Sequence, residues 1–487
     1  MRRHAEYYRD LFERAESEWA KRPTAEWLAD YGRRIDNLRT ALDWAFSPGG
    51  DVDVGVALTA AAVPLWMHLS LLEECQARVE RALDCGTEMH RAESKREMKL
   101  YAALGLSLMQ TKGPVPAAAA WRRALALAET LDDTEYRLRA LGGLYMCHLA
   151  RGEYRAALEN AHRLCILAET PPDPTDWLVG NRMVGTALHY LGDQTEARRR
   201  LEIMLSRYAT PVHRLNIVRF QFDQRLAAQC TLARVLWLQG YPDQAIRTAG
   251  STLEEARELG HGVSLCNTLA QAACPVALDV GDLDNAELCT VLLLEHAARY
   301  ALTRQAIQGR GLKGALLISR GDVAEGIDVL HTVLDESRDT GFIQRYPRFL
   351  AALAGGLRRA GEASQGLLAI DEALAHCERH EERWCLADLL RIRGELLLSL
   401  GDPGAAPAAE NHFRQALDSA RRQGALSWEL RAAMSFARLL HQQGRPGDAA
   451  ALLQPVYDRF TEGFETADLK AARALLDPAT MPVTRLS

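Results

Sequence analysis

Three short stretches carry residues whose types and spacing could do chemistry. Gly309 to Gly314, GRGLKG, has the GxGxxG spacing with which a glycine-rich turn brings backbone amides onto a pyrophosphate. His376 and His380 in HCERHEERWC stand one helical turn apart with Cys377 and Cys385 nearby, a donor set that could hold a transition metal. Arg320-Gly321-Asp322 lies between two apolar runs and has the form of an adhesion signal. Each has a plainer reading. The dinucleotide fingerprint needs a strand before it, whereas GRGLKG follows the helix-like run HAARYALTRQAIQ. The histidines read as a polar junction facing water. No GxxxxGK[ST], GxSxG or HExxH occurs. The sequence therefore reads as non-catalytic, with no cofactor and no metal expected.

The elements that hold these stretches follow from the bulk properties and from a period. With 487 residues the chain is too long for one ordinary core, which leaves about three domains or one repeat array. Hydrophobic residues at 48% and charged residues at 25% suit a folded chain. A net charge of −6 supplies no basic field, so direct nucleic-acid binding is not expected. Ten cysteines without a CxxC pair, an amphipathic N-terminus and no run of 18 uninterrupted apolar residues point to a cytoplasmic protein with no membrane segment.

Glycines that close helix-like runs recur at 113, 152, 192, 240, 281, 321, 361, 401 and 444, with gaps of 39, 40, 48, 41, 40, 40, 40 and 43. Seven residues before the glycine stands a small residue (Gly185, Ala233, Gly314, Gly394), and five after it a second (Ala197, Ala245, Gly326). Apolar residues at intervals of three and four fill one face of each flanking run. This is the pattern of two closely packed helices joined at a left-handed glycine cap, copied along the chain. Acidic residues after the glycine (Asp193, Asp282, Asp322, Glu362, Asp402) suit the start of the second helix. Arg320-Gly321-Asp322 is then the loop of one pair.

VGTALHYLGDQTEARRRLEIML, CTLARVLWLQGYPDQAIRTAG and RGELLLSLGDPGAAPAAENHFRQAL resemble tetratricopeptide (TPR) repeats. Three residues inserted in the last copy move its small and aromatic positions to Ala409, Phe413 and Ala416. The spacing exceeds the usual repeat of about 34 residues, which implies longer helices. WLADYGRRIDNLRTALDWAF resembles the helical segment that follows the nucleotide-binding core of bacterial STAND-class signal-transduction ATPases. The stretch from GALSWELRAAMSFARLLHQQ to DLKAARALLD resembles the tail of large regulators that join such an ATPase to a winged-helix or LuxR-type DNA-binding domain, or to a nucleotide cyclase.

The resemblance implies an all-α, TPR-like right-handed superhelix of nine or ten antiparallel helix pairs. Residues 1–50 would be a helical segment following an ATPase-type domain, 51–460 the repeat superhelix, and 461–487 a capping helix and tail. The implied function is a non-catalytic sensor region of a STAND-type transcriptional regulator. The alternatives are the tail of a nucleotide-cyclase regulator and a freestanding TPR scaffold. The implied partners are a protein or peptide, a small anionic ligand, and an ATPase or DNA-binding domain on the same or another chain.

In that family the first helix of each pair lines a concave groove. Counting back 13, 10, 6 and 3 residues from the loop glycines gives Arg182, Thr186, His189, Arg234, Trp237, Gln271, Gln308, Arg348, Arg358, Arg391 and Glu395 as the candidate groove. Arginine forks suit carboxylates and phosphates, and Trp237 supplies an aromatic wall. Tyr7, Tyr8, Phe12, Trp19, Trp27, Tyr31, Trp44, Phe46 and Trp66 crowd the N-terminus; most would form its core and the remainder a docking face. Pro64, Pro275 and Pro455 fall within helical patterns and predict kinks or early stops. ETPPDPTDW is the expected flexible joint.

Overall fold

The computed structural model describes residues 1–19, 22–85, 91–169, 174–208, 220 and 222–477. These are all-α, and consecutive helices pack as pairs in the TPR-like manner. Helices Arg2–Glu18, Thr24–Tyr31 and Ile35–Ala45 come first. Pairs follow from Val52–His68 with Leu72–Asp84 through to Leu426–Gln442 with Pro446–Tyr457, and helix Ala467–Leu476 packs on this last pair. Residues 478–487 and 170–173 of the expected joint lie outside the described residues, and the last four residues of that joint begin helix Pro174–Leu191.

All nine loop glycines adopt positive φ, from 70° to 113°. An L side chain at that angle brings its Cβ against the following carbonyl, so the glycine period is a period of left-handed helix ends. The small residues do the packing assigned to them. A Cβ on Gly326 would stand 2.8 Å from the carbonyl oxygen of Gly314 in the partner helix. Capping by the acidic residues is less regular. Asp193 accepts from the Glu196 amide at 3.0 Å and Asp282 from the Asn285 amide at 3.2 Å. Asp322 and Glu362 make no such bond, and the helix after Asp402 starts only at Ala405. Arg320 instead pairs with Asp284 and Glu287 of the preceding pair, which settles the RGD triplet as a loop.

Two of the three internal prolines act as the sequence predicts. Helix Pro446–Tyr457 stops two residues after Pro455. Pro275 follows a π turn at Leu269–Ala273 inside Gly262–Val280, where the wider ring absorbs the missing amide. Helix Val52–His68 runs on for a turn past Pro64. Gly262–Val280 is long and apolar enough to cross a membrane, and 83% of that stretch is buried within the fold.

The array also touches itself. The last carbonyls of a helix have no intrahelical donor, and in successive first helices these oxygens receive donors from some 150 to 190 residues downstream. Ile343 and Gln344 amides donate to Ala150 O at 2.8 and 3.1 Å, and the Arg383 amide to Tyr190 O at 2.9 Å. Ser427 Oγ donates to Trp237 O at 2.5 Å across 190 positions, and an Arg431 Nη to Asp279 O at 2.7 Å. Near the end, the Gln244 amide donates to Glu462 and the Gly463 amide to Asp243, at 2.9 and 3.0 Å. Roughly five helix pairs therefore make one turn of the coil, and the second turn sits on the loop ends of the first.

Candidate functional site

This self-contact closes the inner face. Arg182, Thr186, His189, Arg234, Trp237, Gln271 and Gln308, expected on an open groove, are all buried. The second coil turn covers them, and they bond to one another and to residues that the groove count omitted. Tyr190 is the hub. Its hydroxyl accepts from Arg234 Nη1 at 2.9 Å and from Gln344 Nε2 at 2.7 Å. Gln308 donates to Gln344 at 3.2 Å, Gln271 to Gln308 at 2.9 Å, and Arg304 also donates to Gln344. Arg182 donates to Gln224 Oε1 at 2.7 Å and lies over the Tyr145 ring; Thr186 meets Thr231 at 3.1 Å. His189 pairs with Gln194 at 2.8 Å. Burial first, and the Arg234 charge second, hold its pKa well below the usual histidine range, so the ring is neutral.

Arg348, Arg358, Arg391 and Glu395, the remaining expected groove residues, line an open cleft of about 370 Å3. Here every central arginine has a carboxylate. Arg348 reaches Asp388 at 2.5 Å and Asp279 at 3.2 Å. Arg391 bridges Asp388 and Glu395 at 2.7 Å each, and Arg358 stands 3.7 Å from Glu395. Burial opposes ionisation of Asp388, but Arg391, Arg348 and Arg431 outweigh it and hold its pKa down to about 2. For Asp279 burial prevails over the same kind of neighbours and the pKa is raised.

Behind these ion pairs, Trp237 and Trp428 meet edge to face with centroids 4.7 Å apart, and Arg431 lies over both rings at 5.0 and 5.1 Å. Trp237 is thus a buried support and not the exposed wall that the sequence suggested. Arg345, Arg348, Arg358, Arg359, Arg391 and Arg431 face Asp279, Asp388 and Glu395 across the cleft, and Arg431 also pairs with Asp468 at 2.7 Å, six cations to four anions, an excess of two positive charges. Phe349, Leu312, Ile318 and Ile392 add apolar wall. Arg345 belongs to both places: it lines the cleft, and an Nη donates at 3.4 Å to the carbonyl of Gln271 inside the coil. Its backbone is left-handed, φ 70°, a strained conformation for arginine at the head of helix Tyr346–Arg359.

The other sequence candidates have structural employment. A Cβ on Gly311 would stand 2.4 Å from the Phe349 ring, and one on Gly309 2.9 Å from Leu294, so GRGLKG is a helix face on which neighbours pack. The histidine junction does not face water as expected. His376 is buried, 4.4 Å from His380 between ring centroids and 5.6 Å from Tyr346, and a Cβ on Gly152 of the first coil turn would meet it at 3.4 Å. Among the described residues no group of three or more His, Cys, Asp or Glu side chains is placed to share a metal. The expected N-terminal docking face is also absent. Phe12, Trp27 and Trp66 are fully buried, Trp44 and Phe46 pack partly buried, and of the nine aromatics only Tyr7 is exposed. They form one core because Trp27 Nε1 is anchored on Ala15 O at 3.0 Å and its ring lies 5.4 Å from His68 of the first pair.

No protein-family model matches the chain. An uncharacterized protein of Rhizobium meliloti (strain 1021) is 24% identical over 399 residues, which cover 80% of this chain and 38% of that protein. The chain therefore spans well under half of that relative's length. Among solved structures, a Rap protein complexed with competence and sporulation factor is similar with a TM-score of 0.38 and 13% identity, covering 84% of this chain and 99% of that one. The Rap conjugation gene regulator of plasmid pLS20 in complex with the Phr* peptide gives 0.36 and 10%, with 83% and 97% covered. A tetratricopeptide repeat protein from Parabacteroides merdae gives 0.34 and 15%, with 60% and 98% covered.

Proposed function

We propose that the chain is a peptide- or protein-binding scaffold and that its binding surface is the arginine-rich cleft between helices Thr303–Arg320, Tyr346–Arg359 and Leu386–Leu400. The cleft's excess of two positive charges beside apolar wall carries this reading. An extended segment with an acidic side chain or a terminal carboxylate would lay its carboxylate between Arg358 and Arg359 and its apolar side chains on Phe349 and Ile392. Asp388 and Glu395 fix Arg348 and Arg391 in advance, which lowers the ordering cost of binding.

In the wider setting, the chain is the sensor arm of a STAND-type regulator, and occupancy of the cleft biases how the second coil turn seats on the first. The STAND-like N-terminal stretch and the greater length of the Rhizobium relative support that setting. The test is fluorescence anisotropy with a library of acidic and neutralised peptides against the wild-type chain and Arg358→Glu. Binding of an acidic subset that weakens at least tenfold in the variant supports the cleft. Equal binding of neutralised peptides, or no effect of the variant, removes it.

A further inference from the structure

The coil interior holds four arginines with no acid to match. Arg182, Arg234, Arg304 and Arg345 are 2%, 5%, 3% and 4% exposed. The ion pairs of the described residues include none of them. Their partners are neutral: Gln224, the Tyr190 hydroxyl, Gln344 and the Gln271 carbonyl. The Nε of each is buried without a partner, as is Oε1 of Gln271. Arg182, Arg234 and Arg304 line one small chamber of about 30 Å3, open on one side, with Thr186, Gln271 and Gln344, and Arg345 adjoins it through Gln271.

An isolated buried charge costs several kcal/mol even after relaxation, and like charges in one enclosure add repulsion. Lysine would escape by losing its proton, but guanidinium stays charged near neutrality. Burial lowers the pKa of Arg304 and of Arg345, yet only to about 10. The tyrosine ring and amide oxygens offer dipoles, not charge. The chamber is thus a preformed cationic cage short of a counter-ion, built from four successive first helices and the head of a fifth.

We propose that this chamber binds a small, multiply charged inorganic oxyanion of the phosphate class, held by Arg182, Arg234 and Arg304 with Arg345 completing the field. The volume is room for about two water molecules, which suits a small tetrahedral ion. The site is separate from the peptide cleft and stands or falls independently of it. Because Tyr190 and Gln344 connect first-turn and second-turn residues through the cage, the bound anion would lock the two coil turns together.

The full chain, desalted into oxyanion-free buffer, is tested by equilibrium dialysis with labelled inorganic phosphate. In parallel, ion chromatography measures the anions released when the freshly purified chain is denatured. The expected result is saturable binding of one phosphate per chain, competed by sulfate, or a stoichiometric resident phosphate or sulfate on release. Affinity should fall at least tenfold in Arg182→Gln and in Arg304→Gln and be unchanged in Arg155→Gln, an exposed control. If the chamber variants do not fold, the wild-type dialysis and release measurements decide alone. Absence of both saturable binding and a stoichiometric oxyanion overturns the proposal. So does a resident carboxylate in their place, or phosphate binding that survives both chamber variants.

Discussion

Two groups of arginines, one half-buried in the cleft and one buried in the chamber, are neutralised in opposite ways. In the cleft, Arg348 and Arg391 share Asp388, and Arg391 also holds Glu395. In the chamber, Arg182, Arg234 and Arg304 rest on glutamine and tyrosine oxygens. A guanidinium whose charge is answered within the chain serves as a fixed strut, and its partners are set before any ligand arrives. One answered only by dipoles keeps its demand for an anion. The difference separates positions that hold the shape of a site from positions that select what enters it.

The largest effect should come from erasing the difference. Asp388→Asn leaves Arg348 with Asp279 alone and Arg391 with Glu395 alone, a step toward the state of the chamber arginines, and should cost about 3 kcal/mol of stability. Urea unfolding at neutral pH with an unchanged m-value would show it. Next is the substitution that loosens the seam enclosing the chamber. Gly240 has φ 89°, and a Cβ there would stand 2.6 Å from Leu426 of the second coil turn. Gly240→Ala should cost about 2 to 3 kcal/mol, whereas Gly401→Ala, with the same backbone and open space around it, should cost about 1 kcal/mol.

Acid should act on the cleft group through its carboxylates. The folded pKa of Asp388 is depressed, to about 2 from an ordinary 3.8, so its contribution is complete above about pH 4 and is lost as pH falls toward 2. The loss is about 2 kcal/mol in wild type, and the corresponding leg of the stability profile should be missing in Asp388→Asn. The smallest effect belongs to a pair outside both groups. Arg155 and Glu381 join the two coil turns at the surface, with side chains 57% and 41% exposed. Arg155→Ala should change stability by less than about 1 kcal/mol, and less still in high salt.

The repeat was legible because its signals are local. A glycine needed for positive φ and small residues needed for close helix approach recur at fixed distances, so paired helices and their loops could be read directly from spacing. The coil's contact with itself could not, because nothing local marks an Ala150 carbonyl as the seat of an amide at Ile343. Seven of the residues assigned to an open groove therefore lie under a second layer, and only Arg348, Arg358, Arg391 and Glu395 line an open cleft. The counting also stopped one helical turn short. Arg304 and Gln344 each lie 17 residues before their loop glycine, Arg304 in the first turn of helix Thr303–Arg320 and Gln344 in the connection just before helix Tyr346–Arg359. Asp388 stood on the register already, 13 before Gly401, and an interest in arginine forks passed over the carboxylate that fixes them.

The seating of donors on helix ends some 190 positions upstream has a consequence for how this chain gains and loses order. An open solenoid is nearly one-dimensional, so it can fray from either end or tolerate an added unit. Here each added or deleted helix pair would put every later donor out of phase with its carbonyl. Contacts so distant in sequence also raise the contact order, which slows folding and ties the two halves into one transition. The molecule has the sequence grammar of a modular array and the mechanics of a single closed body.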